Sequence, residues 1–314
     1  ILQLYRTQYF DYNVLHFHET IQREHGVTLS YSFVKKALQE AGLVKKKKAR
    51  GKHRKRREPR ECFGELVHID GSFHPWLALV PDQEQALLAL EDDATNHLYY
   101  AQLCPEETSE EVLRALWDVV EQYGLFMALY SDRASWAFHT PSAGGKVDRK
   151  HLTQVGKALE KAGIEHIASY SPEARGRIER LNRTLQDRLV SELRVAGITE
   201  MEEANRYLRE VFIPRYNQRF TRPARDQASA FVSCGNADLN QIFCFEEERT
   251  VAKDNTVRFH NVILQIEKQP GVPTCAGWHV VVRRHLNGQF SIWKGPRLLG
   301  CFEQDGTAAQ KMVA

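Results

Sequence analysis

Ile178, Leu181, Leu185, Leu189 and Leu193 recur every three or four residues, and no other pattern in the 314-residue chain constrains its fold as tightly. The period is that of a helix burying one stripe, so the stretch after Pro172 predicts a helix that packs on a flat apolar surface. The β-branched run Ile164–Ser171 before it reads as a strand stopped by Pro172. Glu179 lies off the stripe, and Arg175, Asn182, Arg183 and Gln186 stand three, four or seven residues from it, on its face. An acid among arginines and amides at a strand-to-helix junction is a poor way to build a core. It suits a metal site facing a phosphate chain.

Upstream, Glu65–His74, Ala86–Glu91 and His97–Cys104 read as three successive strands. Thr108 and Glu111 form a capping box for a helix through Val112, Leu116, Val119 and Tyr123, closed by Gly124. Phe126–Tyr130 is a fourth strand ending at Ser131-Asp132, and a loop with Gly144-Gly145 leads to a helix from Asp148 to Ala162. Three antiparallel strands followed by alternating helices and strands predict an α/β, ribonuclease-H-like core over residues 61–198.

The flanks differ in texture. In residues 1–44, Val14, Phe17 and Ile21 form one helical stripe ended by Gly26, and Ser30 caps a second helix, Tyr31–Ala41. Helix, short turn, helix predicts a helix-turn-helix that shows Tyr31, Ser32, Lys35 and Lys36 to DNA and buries Phe33, Val34, Ala37 and Leu38. Residues 45–60 read as a basic linker. Within it the stretch 45–57 carries ten cations (Lys45, Lys46, Lys47, Lys48, Arg50, Lys52, Arg54, Lys55, Arg56 and Arg57) and no acid; set against a net charge of +3, they leave −7 on the rest. Such a run predicts an arm along a phosphate backbone. Residues 199–245 read as a helical extension opened by a Thr199–Glu202 capping box and broken at Pro214 and Pro223. Residues 246–314 read as a small β-barrel with a hairpin at Asn287-Gly288 and a tail.

The six cysteines are scattered with no CxxC pair, which argues against a zinc finger and fits reduced thiols in a cytoplasm. No apolar run approaches the roughly 18 residues of a membrane span and no signal peptide is visible. A chain that begins at Ile1 reads as a fragment.

Three acids stand in comparable places: Asp70 inside the first strand, Asp132 at the end of the fourth, Glu179 on the helix after the fifth. In a sheet ordered this way the first and fourth strands are neighbours, so carboxylates 62 and 47 residues apart in sequence can converge. Oxygen ligands without Cys or His suit Mg²⁺ or Mn²⁺, and two such ions about 3.5–4 Å apart suit phosphodiester displacement. Asp92 and Asp93, in a turn, and Glu173, at a helix start, read as acids with local roles. On the same ground Glu179 is expected past the first turn of its helix.

His68-Ile69-Asp70, Tyr130-Ser131-Asp132 with Ser135 and Phe138, and Pro172 with Gly176, Glu179 and Arg180 resemble the three motifs of integrase-like DDE transposases and retroviral integrases. Tyr216-Asn217, Arg219-Phe220 and Arg222-Pro223 resemble the stretch after that superfamily's core, and the motif order most resembles bacterial insertion-sequence transposases of the ISNCY type. The resemblance covers about Leu66–Phe231 and departs at Ala134, where many relatives have Gly, and in the longer loop Phe138–Lys150. It implies Asp70, Asp132 and Glu179 as metal ligands and Mg²⁺-dependent cleavage and strand transfer at element ends. It also implies a homodimer or larger assembly holding two double-stranded DNA ends, and a bacterial, nucleoid-associated location. The competing readings are a non-catalytic protein that grips terminal repeats through residues 1–60, and a ribonuclease-H-type nuclease on hybrids.

Overall fold

Leu2–Thr7 (α1), Val14–His25 (α2) and Tyr31–Glu40 (α3) close around Tyr5, Tyr9, Tyr12, Phe17, Ile21, Val34 and Leu38. The computed structural model describes residues 1–45, 58–142, 145–170 and 176–309. They cluster into two units, the first made of Ile1–Phe63, Val67–Glu107 and Ser169–Ala228. Asn13 caps α2 through His16 N–H, Ser30 caps α3 through Phe33 N–H, and Gly26 ends α2 at φ +62°. One expectation fails here. Phe33 is 54% exposed, because α3 turns only Val34 and Leu38 fully inward.

In the same unit Val67–His74 (β1), Gln85–Asp92 (β2) and Leu98–Cys104 (β3) form an antiparallel meander, with Asp70 opposite Ala89 and Ala89 opposite Ala101. All eight residues of β2 are buried, as its continuous apolar run requires. Ile178–Val195 (α6) lays its stripe on this surface, joining Trp76, Leu87, Ala89, Leu98, Ala101 and Leu103 in one core. The other side of that core comes from Met201–Tyr207 (α7), a π-turn at Leu208–Phe212, and Ile213–Phe220 (α8). Pro214 therefore does not break the helix as expected. The wide turn just before it absorbs the missing N–H and the ring clash. Nor does Thr199 cap α7, whose N-cap is Glu200 with no side-chain bond.

Two asparagines finish the meander. Asn205 accepts from Leu103 N–H at 2.7 Å and donates to Leu103 C=O at 2.9 Å, and Asn217 does the same for Leu98 at 2.8 and 2.9 Å. Each side-chain amide thus stands in for a neighbouring strand along β3, a device against edge pairing. Asn205→Ala is expected to cost about 2 kcal/mol by leaving a buried N–H and C=O unmade. Thermal unfolding checks it, with a drop of about 4–8 °C expected.

The second unit is Gly64–Leu66, Thr108–Ala168 and Ser229–Ala314. Ser109–Tyr123 (α4) is capped by Thr108 through Glu111 N–H, as its sequence predicts, and buries Val112, Leu113, Leu116, Val119 and Val120. Ala128–Ser131 (β4) and Glu165–Ala168 (β5) run parallel, joined through Gln154–Ala162 (α5). α5 starts six residues later than expected, because Thr153 takes the cap. Asp148 instead accepts from Lys150 N–H and His151 N–H in the preceding loop. With both parallel and antiparallel pairing and helices between, the fold is mixed α/β.

After Leu239–Ile242 (α9), the strands Cys244–Thr250 (β6), His279–His285 (β9), Phe290–Lys294 (β10) and Arg297–Phe302 (β11) form an antiparallel sheet. Thr256–Phe259 (β7) and Val262–Gln265 (β8) form a separate hairpin sharing its core. The expected barrel is therefore an open sheet plus a hairpin among the described residues; the ladder ends at β6 and β11 instead of closing. Glu246, on β6, pins it to α5 through Lys161 at 2.5 Å and to its neighbour β9 through Arg283 at 2.5 Å.

Candidate active site

Asp70 stands in the middle of β1 and is 8% exposed. Asn182, on the second turn of α6, donates its amide N–H to Asp70 Oδ2 at 2.8 Å, and Gln186 donates to Ser72 Oγ at 3.1 Å. One helical turn advances about 5.4 Å and two strand residues about 6.6 Å, so the pairs 182–70 and 186–72 are what a helix lying along β1 produces. Asn182 Oδ1 is buried without a hydrogen-bond partner among the described residues. A carboxylate with an unspent amide oxygen beside it is chemically suited to a hard cation. Asn182, expected to touch DNA, has its amide nitrogen committed to Asp70.

Glu179 is exposed and is the second residue of α6. The expectation that it lies past the first turn is wrong: the helix begins at Ile178, so a favourable macrodipole acts on Glu179 as well. Its row is nonetheless the one that continues to Asn182 and Gln186. Arg183, one turn on, is exposed; Glu173 and Arg175 lie outside the described residues.

A buried ion cluster holds this helix entrance. Asp93 Oδ1 accepts from His68 Nε2 at 2.7 Å and from Arg177 Nε at 2.9 Å, and Oδ2 accepts from Arg60 N–H at 2.7 Å. Burial opposes its ionisation, but the bonds from His68 and Arg60 and the charge of Arg177 prevail and pull the carboxyl down to about 2. His68 is two residues from Asp70, and Arg177 is the N-cap residue of α6, so one carboxylate ties the two together. Asp92 behaves as its turn position predicts, accepting from Thr95 N–H and Oγ1 and from Tyr99 Oη. Asp93 does not; its partners are far away in sequence. Next to it, burial pushes the Glu91 carboxyl up to about 8 against the pull of Arg177 and Arg180.

Asp132 belongs to the second unit, directly after β4. Its Oδ1 accepts from Ala134 N–H at 2.9 Å, and Ala134 C=O receives Ala137 and Phe138 N–H, which coils the following residues into one turn. Ser131 Oγ donates to Asp132 C=O at 2.8 Å and contacts His166 Nε2 at 2.9 Å. Burial lowers the His166 pKa to about 4, so the ring is neutral at physiological pH.

Among the described residues no group of three or more His, Cys, Asp or Glu side chains is gathered as a metal site. The expected DNA contacts Tyr31, Ser32, Lys35 and Lys36 are all exposed on α3, with the Lys35 ammonium 5.9 Å from the Tyr31 ring centre and Lys36 paired to Glu40 at 3.7 Å. Lys45 is exposed, and the remaining basic residues, Lys46 to Arg57, lie outside the described residues. No described helix is long and apolar enough to cross a membrane.

The chain is thus α/β with a carboxylate on its first strand, bonded from a helix that carries a second acid in its first turn. By sequence this chain is similar to proteins named as transposases. It is 32% identical over 303 residues to y4bF of Sinorhizobium fredii, named as a transposase, across 95% of this chain and 65% of that protein. It is 29% identical over 283 residues to the transposase for insertion sequence IS1202 of Streptococcus pneumoniae, across 79% of this chain and 60% of that protein. The chain thus spans somewhat under two thirds of the length of these relatives. No protein-family model matches it. Among solved structures, a simian T-cell lymphotropic virus intasome chain aligns at TM-score 0.40 and 12% identity, over 91% of this chain and 93% of that one. The HTLV-2 integrase catalytic core with magnesium aligns at TM-score 0.35 and 14% identity, over 48% of this chain and 89% of that one.

Proposed function

We propose that this chain is the DNA-handling and catalytic part of an insertion-sequence transposase that cuts and joins DNA strands at element ends. The observation that carries the reading is its similarity to a transposase across 95% of its length. The acids Asp70, Asp132 and Glu179 support it, because a protein that only grips DNA gains nothing from carboxylates that repel phosphate. In this reading those three residues hold Mg²⁺, which Mn²⁺ can replace, as two ions per site in a ribonuclease-H-like core. The metal would supply Lewis-acid stabilisation of charge at the phosphodiester. Asn182 orients the Asp70 carboxylate, and Arg183 faces the DNA backbone beside it. Residues 1–44 act as a helix-turn-helix that reads double-stranded terminal repeats through Tyr31, Ser32, Lys35 and Lys36. Residues 61–198 then form the core, 199–245 its helical extension and 246–314 a small β domain, with two or more copies pairing two ends.

Incubating the protein with a terminal-repeat duplex and Mn²⁺ tests the reading: nicked and joined strands are expected. A second reading, a non-catalytic terminal-repeat binder, draws on the exposed Tyr31, Ser32, Lys35 and Lys36 of α3, which would grip DNA whether or not the chain cuts it. Specific binding with neither nicking nor joining would establish it instead.

The basic run has its own expected outcome. Replacing Arg54, Lys55, Arg56 and Arg57 by Ala should flatten the dependence of log affinity on log salt by roughly 2–4 units, at about 0.9 per phosphate contact. All duplex sequences should weaken alike, because phosphates carry no sequence information. Binding titrations across a salt series measure it.

A further inference from the structure

His166 has a role that neither the sequence motifs nor the transposase reading assigns. Its ring stacks on Phe138 with centroids 4.1 Å apart and 24° between planes, and Trp136 lies nearly parallel at 6.5 Å. Its Nε2 is 2.9 Å from Ser131 Oγ, which is 2.8 Å from the carbonyl oxygen of Asp132. A carbonyl oxygen only accepts, so the single hydroxyl proton goes to Asp132. The other contact is then a hydrogen bond only if His166 Nε2 carries a hydrogen. Donation therefore runs one way, from His166 Nε2–H to Ser131 Oγ and from Ser131 Oγ–H to Asp132 C=O.

The same ring meets the loop again at its far end. Ser131 opens the segment that carries Asp132, and Phe138 closes it, one helical turn after Ala134 takes the Asp132 carboxylate. The peptide of Asp132, its carboxylate and the end of its loop are thus each held, and two of the three holds lead to one imidazole. A phenylalanine would fill the stacked position without bringing a polar group to be satisfied. What the histidine adds is a donor of fixed direction.

We propose that His166 is a positioning residue: through Ser131 it fixes the peptide of Asp132, and through Phe138 the loop that aims the Asp132 carboxylate. The proposal rests on the reading of Asp132 as a metal-holding carboxylate. Outer groups that orient ligands typically change metal affinity by about 10–100-fold when removed.

The test uses the whole chain without DNA. Nitrogen-15 NMR of labelled histidine should find His166 neutral with its proton on Nε2, and a proton on Nδ1 would overturn the proposal. Calorimetric titration with Mn²⁺ then compares His166→Phe, which keeps the ring and loses the donor, with Ser131→Ala, His166→Gln and Asp132→Asn. His166→Phe and Ser131→Ala are expected to weaken Mn²⁺ binding by roughly 10-fold or more, with melting temperatures close to that of the parent. His166→Gln, whose amide can still donate, is expected to recover much of the loss. If His166→Phe does not fold, Ser131→Ala decides alone. Loss of affinity in Asp132→Asn with none in Ser131→Ala or His166→Phe would overturn this proposal and leave the metal reading standing. Unchanged affinity in Asp132→Asn would overturn that reading and this proposal with it.

Discussion

Asp70→Asn, Asp132→Asn and Glu179→Gln are each expected to abolish metal-dependent nicking and joining, by about 1,000-fold or more, while DNA binding changes little. The substitutions keep shape and remove charge, and the contacts of each residue indicate that the fold survives. In Asp70→Asn the new side chain keeps an oxygen that can accept the Asn182 amide, the contact seen at 2.8 Å. In Asp132→Asn the remaining oxygen can still accept Ala134 N–H. Glu179 is exposed, so its amide should cost no more than the dipole contribution of a first-turn acid, about 0.3–1 kcal/mol. A dead enzyme with a near-native melting temperature and native DNA affinity is therefore the expected phenotype in all three cases. Glu173→Gln is the control and should stay active. A live Glu179→Gln with a dead Glu173→Gln would move the third acid of the site to Glu173.

The parts of this fold that follow from local periodicity were legible in the sequence. The stripe Ile178 to Leu193 is buried at all five positions, and Thr108, Ser30, Gly26 and Gly124 end helices where their chemistry predicts. The same helix register placed Asn182 and Gln186 on the face of Glu179, and both turn out to bond β1. Features set by competition between caps were not legible. Thr153 and Asp148 are both good N-caps, and only packing of Val155, Ala158 and Leu159 selects the first. Phe33 belongs to the apolar pattern of α3, yet a small three-helix cluster already filled by tyrosines has no room to bury it. Whether late strands close into a barrel depends on edge pairing, about which alternation says nothing. The Asp93 cluster was invisible for a different reason. Its side-chain partners, His68 and Arg177, are 25 and 84 residues from Asp93, and each alone looks like an ordinary strand histidine or helix-start arginine.

Asp93→Asn is expected to cost about 3–5 kcal/mol, more than Asn205→Ala, because it removes the charge that balances a buried partner set. Asp93 is fully buried, His68 is 1% exposed and the Arg177 side chain is 10% exposed, so water cannot take over what the carboxylate gives up. An asparagine can accept at Oδ1, but its amide nitrogen would face Arg60 N–H or His68, donor against donor. Thermal unfolding should show a loss of about 10 °C. The pH dependence carries a sign that identifies the mechanism. The carboxyl is held at about 2 in the folded chain against an ordinary 3.8, so its contribution is fully present above pH 3.8 and is lost as pH falls through 2. The parent should therefore lose about 2 kcal/mol across that window through this group, and Asp93→Asn should lack that component. Because His68 sits two residues from Asp70 and Arg177 two residues from Glu179, the substitution should also lower catalysis in the fraction that remains folded. An Asp93→Asn protein with native stability would mean that the cluster is solvated and that Arg177 enters α6 without its help.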